Sequence, residues 1–356
     1  MGASRLQAFF TITLKLTLPG LLSGVILTFV PSMGLFFIAD ILGGNKVVLV
    51  GSLIQDQMTR GSNWPFCSST CCGDDGTYNC TDHDLQESDK CQRTGGNRMK
   101  KNSRFAGFYM GLIFFLMYLP IAVVIVFSFN ESKLPVKFTG FSLKWYQELI
   151  HDRAMLEALV NSLILGVLSC LVSAVIGTLG AVGLSRIHWK SKGALEYISI
   201  LPLMIPEIIL GMVLMAFFYM LNLPFGMLTL LIGHTVFCVP YILMEVKARL
   251  AGMDPALEEA ARDLGAGPFR AFRDITLPLI MPAVISGSLL AFAMSMDDVV
   301  ISIFVNGPRL STLPIKVYTQ LKTGVTPEIN ALCTILLAAT LINFYCLFTD
   351  NKEGKK

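Results

Sequence analysis

Long apolar runs alternate with short polar segments along most of the chain. The runs fall at about 18–42, 107–128, 159–184, 194–220, 224–245, 277–305 and 328–348. Each is close to or beyond the roughly 20 residues that a helix needs to cross a bilayer, so the pattern predicts an all-α membrane protein. The exception is 67–98, which is polar, rich in Cys, Asp, Thr and Gly, and has neither helical nor strand periodicity.

Composition agrees with the pattern. The 356 residues are 53% hydrophobic and only 15% charged, with a mean hydropathy of +0.62; soluble domains carry about 25% charge. A net charge of +3 is too small to suggest nucleic acid. No G-x-x-x-x-G-K-S/T sequence occurs, so the chain is not expected to bind ATP itself. No small-residue cleavage site follows the polar start, so no cleaved signal peptide is expected.

Charge sets the topology. Arg186, His188, Lys190 and Lys192 lie between the runs 159–184 and 194–220. Lys247, Arg249, Arg262, Arg270 and Arg273 lie between 224–245 and 277–305. With Met99-Lys100-Lys101 at one end and Lys352, Lys355 and Lys356 at the other, the positive-inside rule puts all of these in the cytoplasm. Residues 99–356 then form a six-span unit with both ends inside.

The cytoplasmic segment Glu259-Ala260-Ala261-Arg262-Asp263-Leu264-Gly265 stands out. Asp254 can cap a helix beginning at Pro255. That helix should stop at Gly265, which tolerates a left-handed turn, and Gly267-Pro268 should start a second short helix running up to Thr276. Two short helices joined at a glycine make a rigid knob suited to a partner's groove.

Residues 2–33 match 265–296 at 15 of 32 positions without a gap, including Gly2/Gly265, Ile12/Ile275, Leu14/Leu277, Pro19/Pro282, Gly24/Gly287 and Ser32-Met33/Ser295-Met296. The two regions read as related segments. The first copy lacks the Glu-Ala-Ala half and has Gly34-Leu35 where the second has Asp297-Asp298.

Ionisable groups inside spans are costly and mark function. Asp297 and Asp298 lie nine residues before Asn306. On one continuous helix that is roughly 13 Å from its outer end, near mid-membrane. Glu207 follows Pro206 within the third run of the unit, where proline loosens a helix. Three such carboxylates suit an organic cation, especially beside aromatic faces; the plainer reading is a structural pairing with backbone or hydroxyl groups. His234 reads as a hydrogen-bonded core histidine. In the outer loop, Ser142 can cap a short surface helix carrying Trp145 and Tyr146. These two read as interfacial anchors or as part of an outer gate.

Glu-Ala-Ala, then Gly four residues later, then Ile275, Leu277 and Pro278, resembles the coupling motif of ABC importer permeases. Together with Phe141-Ser142-x-x-Trp145-Tyr146 and Ser295-Met296-Asp297-Asp298-Val299-Val300, residues 99–350 resemble the permeases of spermidine/putrescine importers. Residues 1–66, with Trp64-Pro65-Phe66, resemble the C-terminal end of the sibling permease, with one transmembrane helix. The resemblance implies a type I importer fold and a multi-pass location in the cytoplasmic (inner) membrane, in contact with lipid. The implied partners are a sibling permease, a cytoplasmic ABC ATPase dimer and an extracellular or periplasmic polyamine-binding protein. ATP hydrolysis would belong to the ATPase, so this chain needs no cofactor and performs no covalent chemistry. The implied coupling residues are Glu258, Glu259, Ala260, Ala261, Asp263 and Gly265. Glu207, Asp297 and Asp298 would line the substrate path. A permease for another small solute, a secondary transporter and a non-functional fusion are the alternatives.

Five cysteines (Cys67, Cys71, Cys72, Cys80, Cys91) crowd 67–98. A disulfide-bonded loop, a metal site and a stretch never selected as protein compete; the spacing lacks a paired C-x-x-C pattern. The third reading has support from the codons. If 18–42 runs outward from a cytoplasmic start, residue 43 is outside, yet Lys100 should be inside. Read one base later, every Cys codon gives Ala or Val, and every Asp, Asn, His or Tyr codon gives Ile, Met or Thr. Eleven of the eighteen residues 67–84 are of these types, so the shifted reading is apolar enough for the missing crossing. It then reaches a Lys or Arg codon at Gln86, and Met99-Lys100 reads as a stop, as any Met-Lys pair would. The expectation is therefore a sibling fragment (1–66), an unstructured frameshifted stretch (67–98) and a complete permease unit (99–356).

Overall fold

The computed structural model describes residues 104–132 and 137–353 apart from 188, 190, 255, 309 and 325, together with 36–43 and isolated positions before residue 54. The cysteine-rich stretch 67–98 and most of the apolar run 18–42 lie outside the described residues. The described elements are helical: α1 (Phe36–Gly43), α2 (Arg104–Ser128), α3 (Lys144–His151), α4 (Arg153–Arg186), α5 (Lys192–Met204), α6 (Glu207–Met220), α7 (Met227–Ala251), α8 (Ala256–Asp263), α9 (Pro268–Ala271), α10 (Leu277–Asp297), α11 (Val300–Val305), α12 (Leu313–Thr323) and α13 (Pro327–Glu353). A π-helical turn, Phe272–Thr276, joins α9 to α10.

Among the described residues, four helical stretches are long and apolar enough to cross a membrane: Gly107–Ser128, Arg153–Arg186, Met227–Ala251 and Pro268–Asp297. The pair α5 and α6 passes together as a fifth but is bent by 104°. Pro327–Leu341 is a shorter apolar helix. The chain is thus an all-α protein with several apolar helices of membrane-spanning length.

Two expected spans are not single rods. The run 194–220 breaks at Ile205-Pro206. Proline crowds the residue before it out of the helical region, and Ile205 is extended at φ −75°, ψ 130°. The run 277–305 breaks after Asp297: Asp298 is extended at φ −66°, ψ 117°, and α11 restarts two residues later. The depth of 13 Å counted along one continuous helix therefore does not apply.

The chain divides into two compact units. One comprises 1–94 and 161–314 and holds the main core. Within it α10 lies along α7, and α11 along α6. Phe218, Ile208, Leu230, Ile242, Ile280 and Ile301 are fully buried. Small residues permit the close crossings, as membrane helix packing requires. A Cβ on Gly287 would stand 3.0 Å from Ile242 Cα, and one on Gly211 would stand 2.7 Å from Phe304 Cδ2.

The other unit comprises 95–160 and 315–356. Here α13 packs on α2 and α3, and the loop after α2 folds around the fully buried Asn130. Asn130 Oδ1 accepts from Thr139 N at 2.9 Å, and its Nδ2 donates to Lys137 O at 3.0 Å.

Candidate functional site

The two helix breaks lie on one cavity of about 180 Å³, lined by Pro202, Pro206, Glu207, Asp297 and Asp298 among others. It is smaller than the roughly 300–1,000 Å³ of pockets for drug-sized ligands, which suits a slender solute. Its aromatic walls are Phe237 and Tyr241 of α7 and Phe37 of α1. Phe37 was not singled out from the sequence; nothing in its local pattern separates it from its apolar neighbours.

The three carboxylates differ in what they do. Glu207 opens the first turn of α6, where the helix dipole favours negative charge. It is half-buried and makes no hydrogen bond or ion pair among the described residues. Asp297, the last residue of α10, is exposed and likewise makes none. Asp298 is 8% exposed and fully engaged. Its Oδ1 accepts from Ile301 N at 3.1 Å; its Oδ2 accepts from Ser302 N at 2.8 Å and Ser302 Oγ at 2.7 Å. Its side chain holds the first turn of α11, which is the structural pairing with backbone and hydroxyl groups that was the plainer reading of these acids; the sequence hid only the helix it serves, because six residues leave no periodic signature.

His234 of α7 completes this arrangement. It is 1% exposed, with Nδ1 2.8 Å from Ser295 Oγ and Nε2 3.0 Å from Ser302 Oγ and 3.4 Å from Asp298 Oδ2. A hydroxyl has one proton. Ser302 gives its proton to Asp298, so Nε2 must donate to Ser302. In the neutral tautomer Nδ1 then accepts from Ser295. The expected core histidine thus ties α7, α10 and α11 together at the break.

The knob folds as its local sequence dictates. Asp254 Oδ1 accepts from Ala256 N at 3.0 Å; Pro255, the expected first residue, lies outside the described residues. At the far end Ala266 N donates to Ala261 O at 3.0 Å and Gly265 N to Arg262 O at 2.9 Å. This is the paired bonding of a Schellman stop, with Gly265 at φ +87°. Gly267-Pro268 opens α9 as expected. Of the six residues expected at the coupling site, Ala261 is buried, Glu258 half-buried, and Glu259, Ala260, Asp263 and Gly265 exposed. Leu264 is 90% and Phe269 75% exposed on either side of the glycine, an apolar pair that the motif does not include.

Trp145 and Tyr146 hold the loop after α2 to itself. Trp145 is 4% exposed and its Nε1 donates to Asn130 O at 2.7 Å. Tyr146 Oη lies 2.7 Å from Ser128 Oγ, and its ring is 5.3 Å from that of Phe129. Ser142 Oγ accepts from Lys144 N at 3.2 Å just ahead of α3; Leu143 holds the cap position expected for Ser142.

Residues 173–349 match the family described as the binding-protein-dependent transport system inner membrane component. The spermidine/putrescine transport system permease protein PotC of Escherichia coli (strain K12) is 42% identical over 236 residues, 66% of this chain and 89% of that protein. The putrescine transport system permease protein PotI of the same strain is 41% identical over 251 residues, 68% of this chain and 89% of that protein. The PotC protein of Haemophilus influenzae is 36% identical over 233 residues, covering 65% and 91% respectively. Among solved structures, a bacterial ABC transporter involved in the import of the acidic polysaccharide alginate superposes with a TM-score of 0.54 at 16% identity. The match covers 72% of this chain and 99% of that one, a likeness of fold alone. With most of each permease's length covered at such identity, the chain belongs to the family of inner membrane components of binding-protein-dependent transport systems, and is a multi-pass membrane permease.

Proposed function

We propose that this permease carries polyamines across the cytoplasmic membrane as a subunit of an ATP-driven importer, working with a sibling permease, a cytoplasmic ATPase dimer and an external polyamine-binding protein. The observation that carries the substrate class is the cavity. Two carboxylates without hydrogen-bond or ion-pair partners among the described residues, Glu207 and Asp297, share it with the aromatic rings of Phe37, Phe237 and Tyr241. A slender di- or triammonium ion exchanges hydration water for carboxylate oxygens and ring faces there. Its methylene chain suits the apolar remainder of the wall. The relatives named for spermidine and putrescine support the same class.

The step is a movement, not a reaction. The knob formed by α8 and α9 presents Glu259, Leu264 and Phe269 to the ATPase. Closure of the ATPase dimer shifts the knob and switches the cavity between outward and inward access. Ammonium groups leave when the carboxylates regain water on the cytoplasmic side.

The test is uptake of labelled putrescine and spermidine in cells lacking their own permease, with membrane-inserted protein quantified in parallel. Glu207→Gln and Asp297→Asn should each lower uptake without lowering the amount of inserted chain. Normal polyamine uptake by the double variant would overturn the cation-site reading.

A further inference from the structure

Glu258 and Glu259 are neighbours on α8, about 100° apart around the helix, and the structure gives them opposite surroundings. Glu259 is exposed and makes no ion pair among the described residues. Glu258 is turned towards the body of the protein, where three elements converge on its carboxylate. Arg186 Nη2, from the last residue of α4, donates to Oε1 at 2.9 Å and to Oε2 at 3.0 Å. Arg262 Nη2, one turn along α8, donates to Oε1 at 3.1 Å. Thr276 Oγ1, just before α10, donates to Oε2 at 3.4 Å. We infer that Glu258 is the transmission residue of this permease: a positioning residue through which movement of the knob reaches the membrane helices, while Glu259 is left for the partner.

The route from Glu258 into the membrane is short and stiff. Thr276 closes the π-helical turn that runs without a break into α10. Ala261 and Ala271 anchor α8 and α9 beneath it, 8% and 0% exposed. Arg249 Nε, near the end of α7, donates to Leu279 O at 3.0 Å and fixes the start of α10 from a second side. α10 spans about 30 Å at 1.5 Å per residue and ends at Asp297, in the wall of the cavity. A displacement of Glu258 is therefore delivered to the far end of α10, and through Arg186 to the end of α4. The side chains of Glu258 and Arg186 are 28% and 40% exposed. Ion pairs this accessible add little to stability, so the clustering of donors is better explained by transmission than by folding.

This inference rests on the reading of the knob as the ATPase docking site, and the experiment separates the two. The full complex is purified and reconstituted in liposomes, and both ATP hydrolysis and uptake are measured. Glu258→Gln and Arg186→Gln should each leave the yield of complex and its ATP hydrolysis intact, yet lower polyamine uptake per ATP about 5-fold or more, the lower end of ordinary coupling free energies. The double variant should be no worse than either single one, since both remove the same link. Loss of complex in proportion to uptake would mean a merely structural role and overturn the inference. Unchanged uptake per ATP in Glu258→Gln would also overturn it, with docking left standing. Failure of any ATPase to copurify with the unmutated chain would instead overturn the docking reading on which it depends.

Discussion

Asp297 and Asp298 are adjacent and chemically identical, yet their substitution should have opposite consequences. Asp298→Ala removes the acceptor for two backbone N–H groups and one hydroxyl, all in a buried site. Loss of a cap costs about 0.5–2 kcal/mol, and each buried donor left without a partner about 1–3 kcal/mol. Allowing for overlap between these terms and for the neighbouring His234, the total is about 3–5 kcal/mol, a large share of the roughly 5–15 kcal/mol that holds a domain folded. Asp298→Asn retains one acceptor oxygen but turns an N–H group towards the Ile301 N–H or, if the amide is flipped, towards the Ser302 N–H and hydroxyl, for about 1–3 kcal/mol. Asp297→Asn alters an exposed group with no hydrogen bond among the described residues and should stay within about 0.5 kcal/mol of the parent. The sequence assigns all three carboxylates to the substrate path; reduced uptake with unchanged assembly is predicted only for Asp297→Asn and Glu207→Gln, because Asp298 is engaged by the helix break. The assay is the thermal unfolding midpoint of the purified chain in detergent, together with membrane-inserted yield. Asp298→Asn and Asp298→Ala should be progressively less stable, and Asp297→Asn should match the parent while losing uptake. Equal midpoints for Asp297→Asn and Asp298→Ala would refute the division between the two acids.

Gly265→Val should abolish uptake while the chain remains in the membrane; among the described residues nothing beyond the chain neighbours lies within 4 Å of the added Cβ, so the defect would be the cost of φ +87° for a β-branched residue, about 1–3 kcal/mol. ATP-driven uptake at the parent rate would contradict it. Gly287→Leu should lower the unfolding midpoint by forcing α7 and α10 apart, at about 1–3 kcal/mol, because the nearest obstacle is the backbone atom Ile242 Cα; an unchanged midpoint would show that the crossing is loose. Trp145→Ala should destabilise by about 3–5 kcal/mol, and Trp145→Phe by about 1 kcal/mol for the lost bond to Asn130 O. Equal effects from the two would contradict the buried placement. For residues 67–98, read from the codons as one base out of frame, resequencing should show an insertion or deletion near codon 66; an intact frame with peptides recovered from this stretch would refute that reading.

What the sequence made legible was what local chemistry decides. The knob is the clearest case. Asp254 as cap, Gly265 in the left-handed turn and Gly267-Pro268 as a new start each depend on a few adjacent residues, and each is found where expected. The apolar runs were legible for the same reason, since length and hydropathy suffice. The breaks within two of them were only partly so. Pro206 announces a weak point, but the 104° bend depends on how α5 and α6 pack against α7 and α11, which no local pattern encodes. Near Asp298 no proline or glycine marks the break at all. Side-chain direction was least legible: the order Glu258-Glu259 or Asp297-Asp298 says that acids are present, not which one faces inwards. The aromatic pair Trp145 and Tyr146 shows the same limit, because the buried partner of Trp145 is a backbone carbonyl 15 residues away.

The two helix breaks also explain why the cavity has charge to offer. Backbone groups freed at a break within a membrane must be satisfied by protein, because hydrocarbon cannot do so. At Pro206 the cost is reduced by a residue with no N–H, and Pro206 O accepts from Ile209 N and Leu210 N at 2.9 and 3.1 Å. At Asp298 a carboxylate takes up the free donors of α11, and His234 with Ser302 and Ser295 holds that carboxylate in place. Each break therefore engages one residue in its backbone hydrogen bonding and places beside it an acid whose side chain makes no hydrogen bond among the described residues: Glu207 after Pro206, Asp297 before Asp298. On the proposed cation-site reading, a cation entering the cavity would meet two carboxylates that need not be released from the fold before they can bind. On the proposed reading of the knob as the ATPase docking site, binding charge there leaves the helix ends intact, so movement of the breaks remains available to be driven from the knob.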